Sequence, residues 1–256
     1  MINLYKIFLK HSLQEFLINR GTALITFVLG LSFFAIEIIA GFVFFEQIDS
    51  IWGWSRTDYM LVVSNASIIS FLYQTLFIIA HENLTDFILE GELDHILIRP
   101  INSLMYVSLS RIDISSLLNL LVAVGLQYYF VLSYKPTFFQ VVLLIVSICL
   151  STYLVFILNQ LAVSVTFWVE KAGSIIGLPE NLLDFSSRPL VVYPNSIRFL
   201  LTWIVPLVIG VNLPVLILKS EKVYHYFIIL MTVLCLGTWL INIFWKKGLL
   251  KYASAN

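Results

Sequence analysis

The sequence predicts an all-α polytopic membrane protein, with six transmembrane helices in one domain spanning residues 1–256. Three observations carry this. The 256 residues are 60% hydrophobic and only 12% charged, about half the charged fraction of a soluble domain. Mean hydropathy is +0.95. Several stretches with few or no charges reach the roughly 20 residues that a helix needs to cross a bilayer core. The formal net charge is zero, so the chain lacks the excess of Lys and Arg that a phosphate-binding surface requires, and nucleic acid is not an expected partner. Cys149 and Cys235 both lie in apolar runs and read as small buried hydrophobes rather than disulfide partners or metal ligands.

Residues 1–20 do not read as a signal peptide, because the following apolar stretch is too long and no small-x-small cleavage site closes it. Instead Tyr5, Phe8, Leu9, Leu13, Phe16 and Leu17 recur at helical spacing, while Lys6, Lys10 and Gln14 fall on another face. That pattern predicts an amphipathic helix lying on the membrane surface, either as an anchor in membrane lipid or as a partner-binding element. Spans follow at 21–45, with one charge at Glu37, and at 60–80, with none. The third covers 104–132, with Arg111 and Asp113 near its start, and 138–169 is uncharged throughout. The last span is 223–245, followed by a short tail, 246–256.

Two readings remain for the stretch between the fourth and last spans. Either 172–189 crosses and 194–218 is a re-entrant outer element, or the first is a loop and the second crosses. Both give six crossings. Lys6, Lys10, Arg20, Arg99, Lys171, Lys246, Lys247 and Lys251 share one side, against Arg56, Lys135, Lys219 and Lys222 on the other. The positive-inside rule therefore puts both termini in the cytoplasm.

This orientation puts residues 84–100 inside the cell as a connection between two spans. Phe87, Ile88 and Leu89, then Leu93, Ile96 and Leu97, suit a short helix broken near Gly91, and Asp86, Glu90, Glu92 and Asp94 outnumber the single base, Arg99. The segment reads either as a solvated loop or as a hydrophobic and acidic knuckle pressed into a partner.

Chemistry of the chain's own is not in sight. No stretch fits the phosphate-binding G-x-x-x-x-G-K-[ST] pattern. His81 and Glu82 begin a zinc-protease-like helix, but HENLT lacks the second His, and the four histidines are scattered. Without a G-x-S-x-G elbow or a trustworthy carboxylate pair, neither a catalytic residue nor a metal site is expected. What stands out instead is polarity at membrane depth, which is costly and marks functional candidates. Glu37 lies near the middle of the first span. Ser67, Ser70 and Gln74 share one helical face in the second, for packing or for lining a pathway. In 172–189, Gly173 and Gly177 form a G-x-x-x-G pair, Glu180 and Asp184 continue the stripe, and Arg188 follows Asp184 by four.

Three motifs give the chain a family resemblance. Gly91, Leu93, Asp94, Leu97, Arg99 and Pro100 read G-x-L-D-x-x-L-x-R-P. Trp245, Gly248, Leu249, Tyr252, Ser254 and Ala255 read W-x-x-G-L-x-x-Y-x-S-A. Tyr193, Pro194, Pro206 and Pro214 punctuate the stretch before the last helix. In order and spacing these resemble the permease subunits of ABC type-2 exporters, in a bacterial branch of about 260-residue, six-helix chains. The resemblance implies an ABC type-2 exporter (ABCG-like) topology, with an amphipathic interface helix and a re-entrant element before the last helix. It also implies a second permease, identical or related, and separate ABC ATPase subunits that bind the ATP and Mg; no cofactor is expected in this chain. Docking would use the first helix and a coupling helix holding Phe87, Leu89, Glu90, Gly91, Glu92, Leu93, Asp94, Leu97 and Arg99. The second and fifth helices would flank the pathway, with Ser67, Ser70, Gln74, Glu180 and Asp184 as candidates, in a multi-pass protein of the bacterial cytoplasmic membrane. The other function classes are an ATP-independent channel or secondary carrier, with Glu37, Glu180 and Asp184 as ion sites, and a lipid-modifying enzyme, which would need clustered catalytic groups. The substrate is not readable.

Overall fold

The computed structural model describes residues 2–169, 175, 177–221 and 223–252, without the side chains of residues 2–4 and 89. Gly173, Lys171, Lys222, Ser254 and Ala255 lie outside the described residues. Helix α1 (Ile2–Ile18) leads into α2 (Arg20–Gln47), and a two-residue-per-strand hairpin, β1 (Ser50–Ile51) with β2 (Trp54–Ser55), turns the chain into α3 (Arg56–Tyr73). A π turn, Gln74–Ile78, continues α3 into α4 (Ile79–Leu89), followed by the short helices α5 (Asp94–Leu97) and α6 (Ser103–Ser108). Then come α7 (Ile114–Leu132), α8 (Phe138–Ser164) with a 3₁₀ turn at Val165–Phe167, α9 (Leu178–Phe185), α10 (Asn195–Phe199) with a π turn at Leu200–Ile204, α11 (Leu207–Leu218) and α12 (Tyr224–Lys251).

Among the described residues five helical stretches are long and apolar enough to cross a membrane, Arg20–Gln47, Arg56–Ile88, Ile114–Leu132, Phe138–Phe167 and Tyr224–Lys251, with the bent pair Asn195–Ile204 and Leu207–Leu218 a sixth if counted as one span. Two sequence expectations need correction here. The span predicted over 104–132 is two helices, because the Asp113 side chain caps α7 by accepting the Ser115 N–H at 3.0 Å. Its own N–H goes to the Thr75 carbonyl of the π turn at 3.0 Å, so Arg111 lies in the break. Both cysteines are exposed rather than buried, on the outward faces of α8 and α12.

Around α11 the bundle closes. Every residue of this helix is buried, as expected of a helix that is apolar all round. Among the breakers that the sequence shows in this stretch, Pro206 marks the sharp bend, where 195–204 meets α11 at 91°. Gly210 and Pro214 lie inside the helix. Pro214 has no N–H for the Gly210 carbonyl four residues back, and the Asn65 amide fills that space, donating to the Val211 carbonyl at 2.7 Å and the Gly210 carbonyl at 3.4 Å. Gly210 itself admits α8, since a Cβ there would stand 2.5 Å from the Ser151 hydroxyl.

α1 and the C-terminal part of α12 both pack against the 84–112 stretch at one end of the bundle, called the terminal end below. At the far end a single carboxylate ties three connections together. Ser55 and Asp58 form a capping box at the start of α3, and Asp58 is 1% exposed. Its second role brings in the rest: Lys219, just after α11, approaches it at 2.8 Å, and Tyr134, after α7, donates to it at 2.6 Å. Lys219 also donates to the Gly53 carbonyl of the hairpin at 3.1 Å. Removing one partner of such a buried pair leaves an uncompensated charge and costs about 3 kcal/mol. Asp58→Asn and Lys219→Met should each lower the melting temperature in detergent by about 6–12 °C. The double variant should recover part of that loss.

Candidate functional site

At the terminal end the motif-bearing segments around Leu93 and Trp245 meet in one cluster, separate from the main core. Leu84, Ile88, Leu93, Ile96, Phe167 and Trp245 are buried together, with Phe87, Leu249 and Tyr252 packed on the edge. The local fold follows from the sequence. α4 ends at Leu89, Gly91 takes the left-handed conformation (φ 79°), and the chain turns so that the Leu93 N–H donates to the Phe87 carbonyl at 3.1 Å. The break predicted near Gly91 is therefore present.

Trp245 sits edge-on to Phe167 at 5.5 Å and donates its indole N–H to Ser103 at 3.1 Å. Gly248 lets the Phe167 ring approach, because a Cβ there would come within 2.3 Å of it. Tyr252 stands beside Asp94, and burial together with that carboxylate raises the phenol above its ordinary value. The G-x-L-D motif and the W-x-x-G-L-x-x-Y motif are thus two halves of one packing unit.

The expected coupling residues divide by exposure. Leu93 is 0% exposed, so its side chain cannot be a surface anchor; it roots the segment in the cluster. Phe87 is half-buried in the same cluster. The Leu89 side chain lies outside the described residues. Glu90, Glu92 and Arg99 are exposed, and Arg99 donates to the Tyr106 hydroxyl at 2.6 Å and lies over its ring. Leu97 is 38% exposed, and Ile98, which the sequence reading passed over, is 82% exposed. The signal for this was in the spacing: Leu93 and Ile96 share the inward face, so the next two residues turn outward.

Beside this tip runs a groove of about 620 Å³ between α1 and the segment, with Phe8, Ser12 and Glu15 on one wall and Glu92, His95 and Tyr106 on the other. α1 is held by a ring contact between Phe8 and Tyr106 at 5.4 Å, by Ser12 accepting the Ile112 N–H at 3.0 Å, and by Glu15 with Arg111 at 3.5 Å. Tyr5, Leu13 and Leu17 of its apolar stripe are exposed.

The polar residues at membrane depth come together as well. Ser67, Ser70 and Gln74 line one cavity of about 380 Å³ with Glu37 and Asp184. Gln74 also borders a second cavity of about 670 Å³, with Glu180, Glu82 and Asp113 on its walls. Gln74 donates to Ser70 at 3.2 Å and accepts from Ser116 at 3.2 Å.

The stripe predicted on 172–189 is not a helical stripe, however. Gly177 has φ 87° and caps the start of α9, so it cannot continue a helix from Gly173, and the following Pro179 suits a first turn. α9 ends at Phe185, where Ser186 folds back onto the Leu182 and Leu183 carbonyls, so Asp184 and Arg188 are not one helical turn apart. Among the described residues the ion pairs are Glu15 with Arg111 and Asp58 with Lys219.

Sequence reasoning also missed a buried chain of hydrogen bonds below the π turn. Tyr73 meets His81 at 2.8 Å, His81 meets Gln160 at 3.1 Å, and Ser108 donates to Gln160 at 3.4 Å. Tyr73 and His81 are eight apart, which a regular helix would set about 80° from each other around its axis. The extra residue of the π turn aligns them.

Taken together, the bundle and its polar cavities define an all-α, multi-pass membrane protein with a packed, partly acidic tip at the terminal end. A family model described as ABC-2 family transporter protein matches residues 31–256. The chain belongs to that family and is an ABC type-2 permease, a membrane-spanning transport subunit. Comparison with curated proteins and with solved structures gives no match. The match takes in the cluster, the polar residues named on both cavity walls and all three motifs. Gly248→Leu should drive Phe167 out of the cluster and destabilise the terminal end by about 1–3 kcal/mol, read as earlier proteolysis after α4 and a shifted Trp245 emission, with the far-end Asp58 contact unaffected.

Proposed function

We propose that this chain is the permease of an exporter of the bacterial cytoplasmic membrane, paired with a second permease and driven by separate ATPase subunits that dock on its terminal end. The observation that carries the reading is the convergence of the G-x-L-D and W-x-x-G-L-x-x-Y segments on one cluster, which holds an exposed Leu97 and Ile98 tip beside the α1 groove. The terminal end faces the cytoplasm in this reading, which the basic residues Lys6, Lys10, Arg20, Arg99, Lys246, Lys247 and Lys251 support. ATP and Mg belong to the partner, and hydrolysis with them.

The fifth crossing is taken as 172–189, of which 175 and 177–189 are described. Gly177 borders the cavity of His81 and Glu82, Asp184 that of Ser67 and Ser70, and the Arg188 carbonyl accepts the Asn212 amide at 3.1 Å. The stretch therefore runs back along Arg56–Ile88 toward its start, and 195–218 then re-enters from the far end. With α3 it flanks the candidate pathway, whose residues are Ser67, Ser70, Gln74, Glu180 and Asp184, with Glu37 facing the same cavity.

A push on the tip enters through Leu93 into the cluster and reaches the π turn at Gln74–Ile78. There the broken start of α7 is bonded to it by Asp113 and Ser116. Two cores lie on either side of this joint, so the terminal module can tilt against the membrane core, a change of packing between two discrete arrangements. The acid-lined cavities favour one second reading, an ion-coupled carrier, and transport driven by an ion gradient without nucleotide would select it.

The test is purification of the chain from its native membrane with its bound subunits. An ATPase should co-purify. Leu97→Asp with Ile98→Asp should cut that recovery at least about tenfold, as the loss of two buried aliphatic contacts implies, while the permease still elutes as a single folded species. Full recovery of a stimulated ATPase with the double variant would remove the tip from the docking surface. Leu93→Ala should instead lower stability by about 2–5 kcal/mol.

A further inference from the structure

One corner of the molecule has no part in the docking surface or the acid-lined cavities. Where α1 meets α2, Phe16, Ala23, Leu24, Phe27 and Leu118 wall a groove of about 480 Å³. Its one charged side chain is Arg20, in the first turn of α2. Arg20 is exposed and, among the described residues, in no ion pair, the acid of the preceding turn, Glu15, being held by Arg111. Next to it Gly21 faces open space: a Cβ there would meet no atom within 4 Å.

The place of the groove decides its occupant. It lies where α1 passes into α2, a candidate span that the rest of this chain leaves largely uncovered, only 17% of its most apolar window being buried. Leu24 is 60% and Leu118 37% exposed. Apolar walls beneath one unpaired guanidinium match a phospholipid, with an acyl chain along the walls and a phosphate on the cation. A soluble anion would gain nothing from the walls, and a partner helix would have to bring a carboxylate to the same guanidinium. The geometry points to a binding site for one anionic phospholipid of the leaflet at the terminal end, held by Arg20. The lipid covers the junction of α1 and α2. This site does not depend on the export reading.

Native mass spectrometry of the full chain, with any subunits that co-purify, tests this by titration with phosphatidylglycerol or phosphatidylcholine of the same acyl chains. Phosphatidylglycerol should be retained about fivefold better, the ratio expected of one basic residue at an anionic surface. Arg20→Gln should remove that preference and Arg20→Lys keep most of it. Gly21→Phe, which fills the groove from its open side, should lower retention of both lipids. Lys6→Gln with Lys10→Gln should leave the preference in place. Equal retention of the two lipids by the wild type, a preference that survives Arg20→Gln, a preference lost with the two lysines, or displacement of the lipid by glycerol phosphate would each overturn the site. A wild-type elution profile for each variant separates lost lipid from lost fold.

Discussion

A backbone group without a partner in hydrocarbon costs several kcal/mol, and irregular backbone is tolerated at membrane depth only inside protein. This chain has several such places, and a side-chain amide or carboxylate serves each. Asn65 covers the carbonyls around the Pro214 gap. Asn212 accepts the Leu190 N–H at 2.9 Å and donates to the Arg188 carbonyl, holding the approach to the bent pair. Gln140 caps α8 and bonds the Ile217 carbonyl at 3.0 Å. Asp113 caps α7 while its N–H takes the Thr75 carbonyl. Because these amides sit on α3, α8 and α11, the three helices are held in register by polar contacts, and the apolar surface of α11 can be buried without a fixed hydrophobic pattern.

The same economy explains where polarity collects. Residues that satisfy backbone are buried and committed, as Asn65 and Asn212 are at 0% exposure. Ser67, Ser70, Gln74, Glu37 and Asp184 border open volume instead. Carboxylates at this depth avoid lipid, and here they look into cavities along the Arg56–Ile88 span. The contrast between buried, committed Asn65 and Asn212 and the acids on the cavity walls is the physical argument for the proposed pathway residues.

Much of the fold was legible because apolar length is a strong signal: the helices at 20–47, 138–167 and 224–251 contain the apolar runs read at 21–45, 138–169 and 223–245 almost completely. The shared face of Ser67, Ser70 and Gln74 was legible too, since three- and four-residue spacing holds above the π turn. Below it the count fails, and the alignment of Tyr73 with His81 was hidden for that reason. In 172–189 the sequence reads as one polar helix, but among the described residues a positive φ at Gly177 and a helix end at Phe185 leave α9. Nor could spacing show that Leu93 faces inward, because its cluster is completed by Phe167 and Trp245, far along the chain. Asp58 was overlooked for a similar reason: it reads as a capping residue, and its buried role needs Tyr134 and Lys219 brought to it by tertiary packing.

The two long routes out of the terminal cluster differ mechanically. Along α4 and α3 the path is interrupted at the π turn, where a tilt can be absorbed by a change in helix pitch. Along α12 it runs unbroken for 28 residues, from Trp245 and Gly248 in the cluster, past Gly237 against Ile157, to Tyr224. The α11–α12 connection then leads to Lys219 on Asp58. On the proposed mechanism a displacement of the tip would therefore bend one span near the acid-lined cavities while tilting another as a rod whose far end pulls on the Asp58 contact. Asp58 at the far end and Trp245 at the terminal end would then be opposite ends of one lever, and on that mechanism the C-terminal motif would move with the proposed coupling segment.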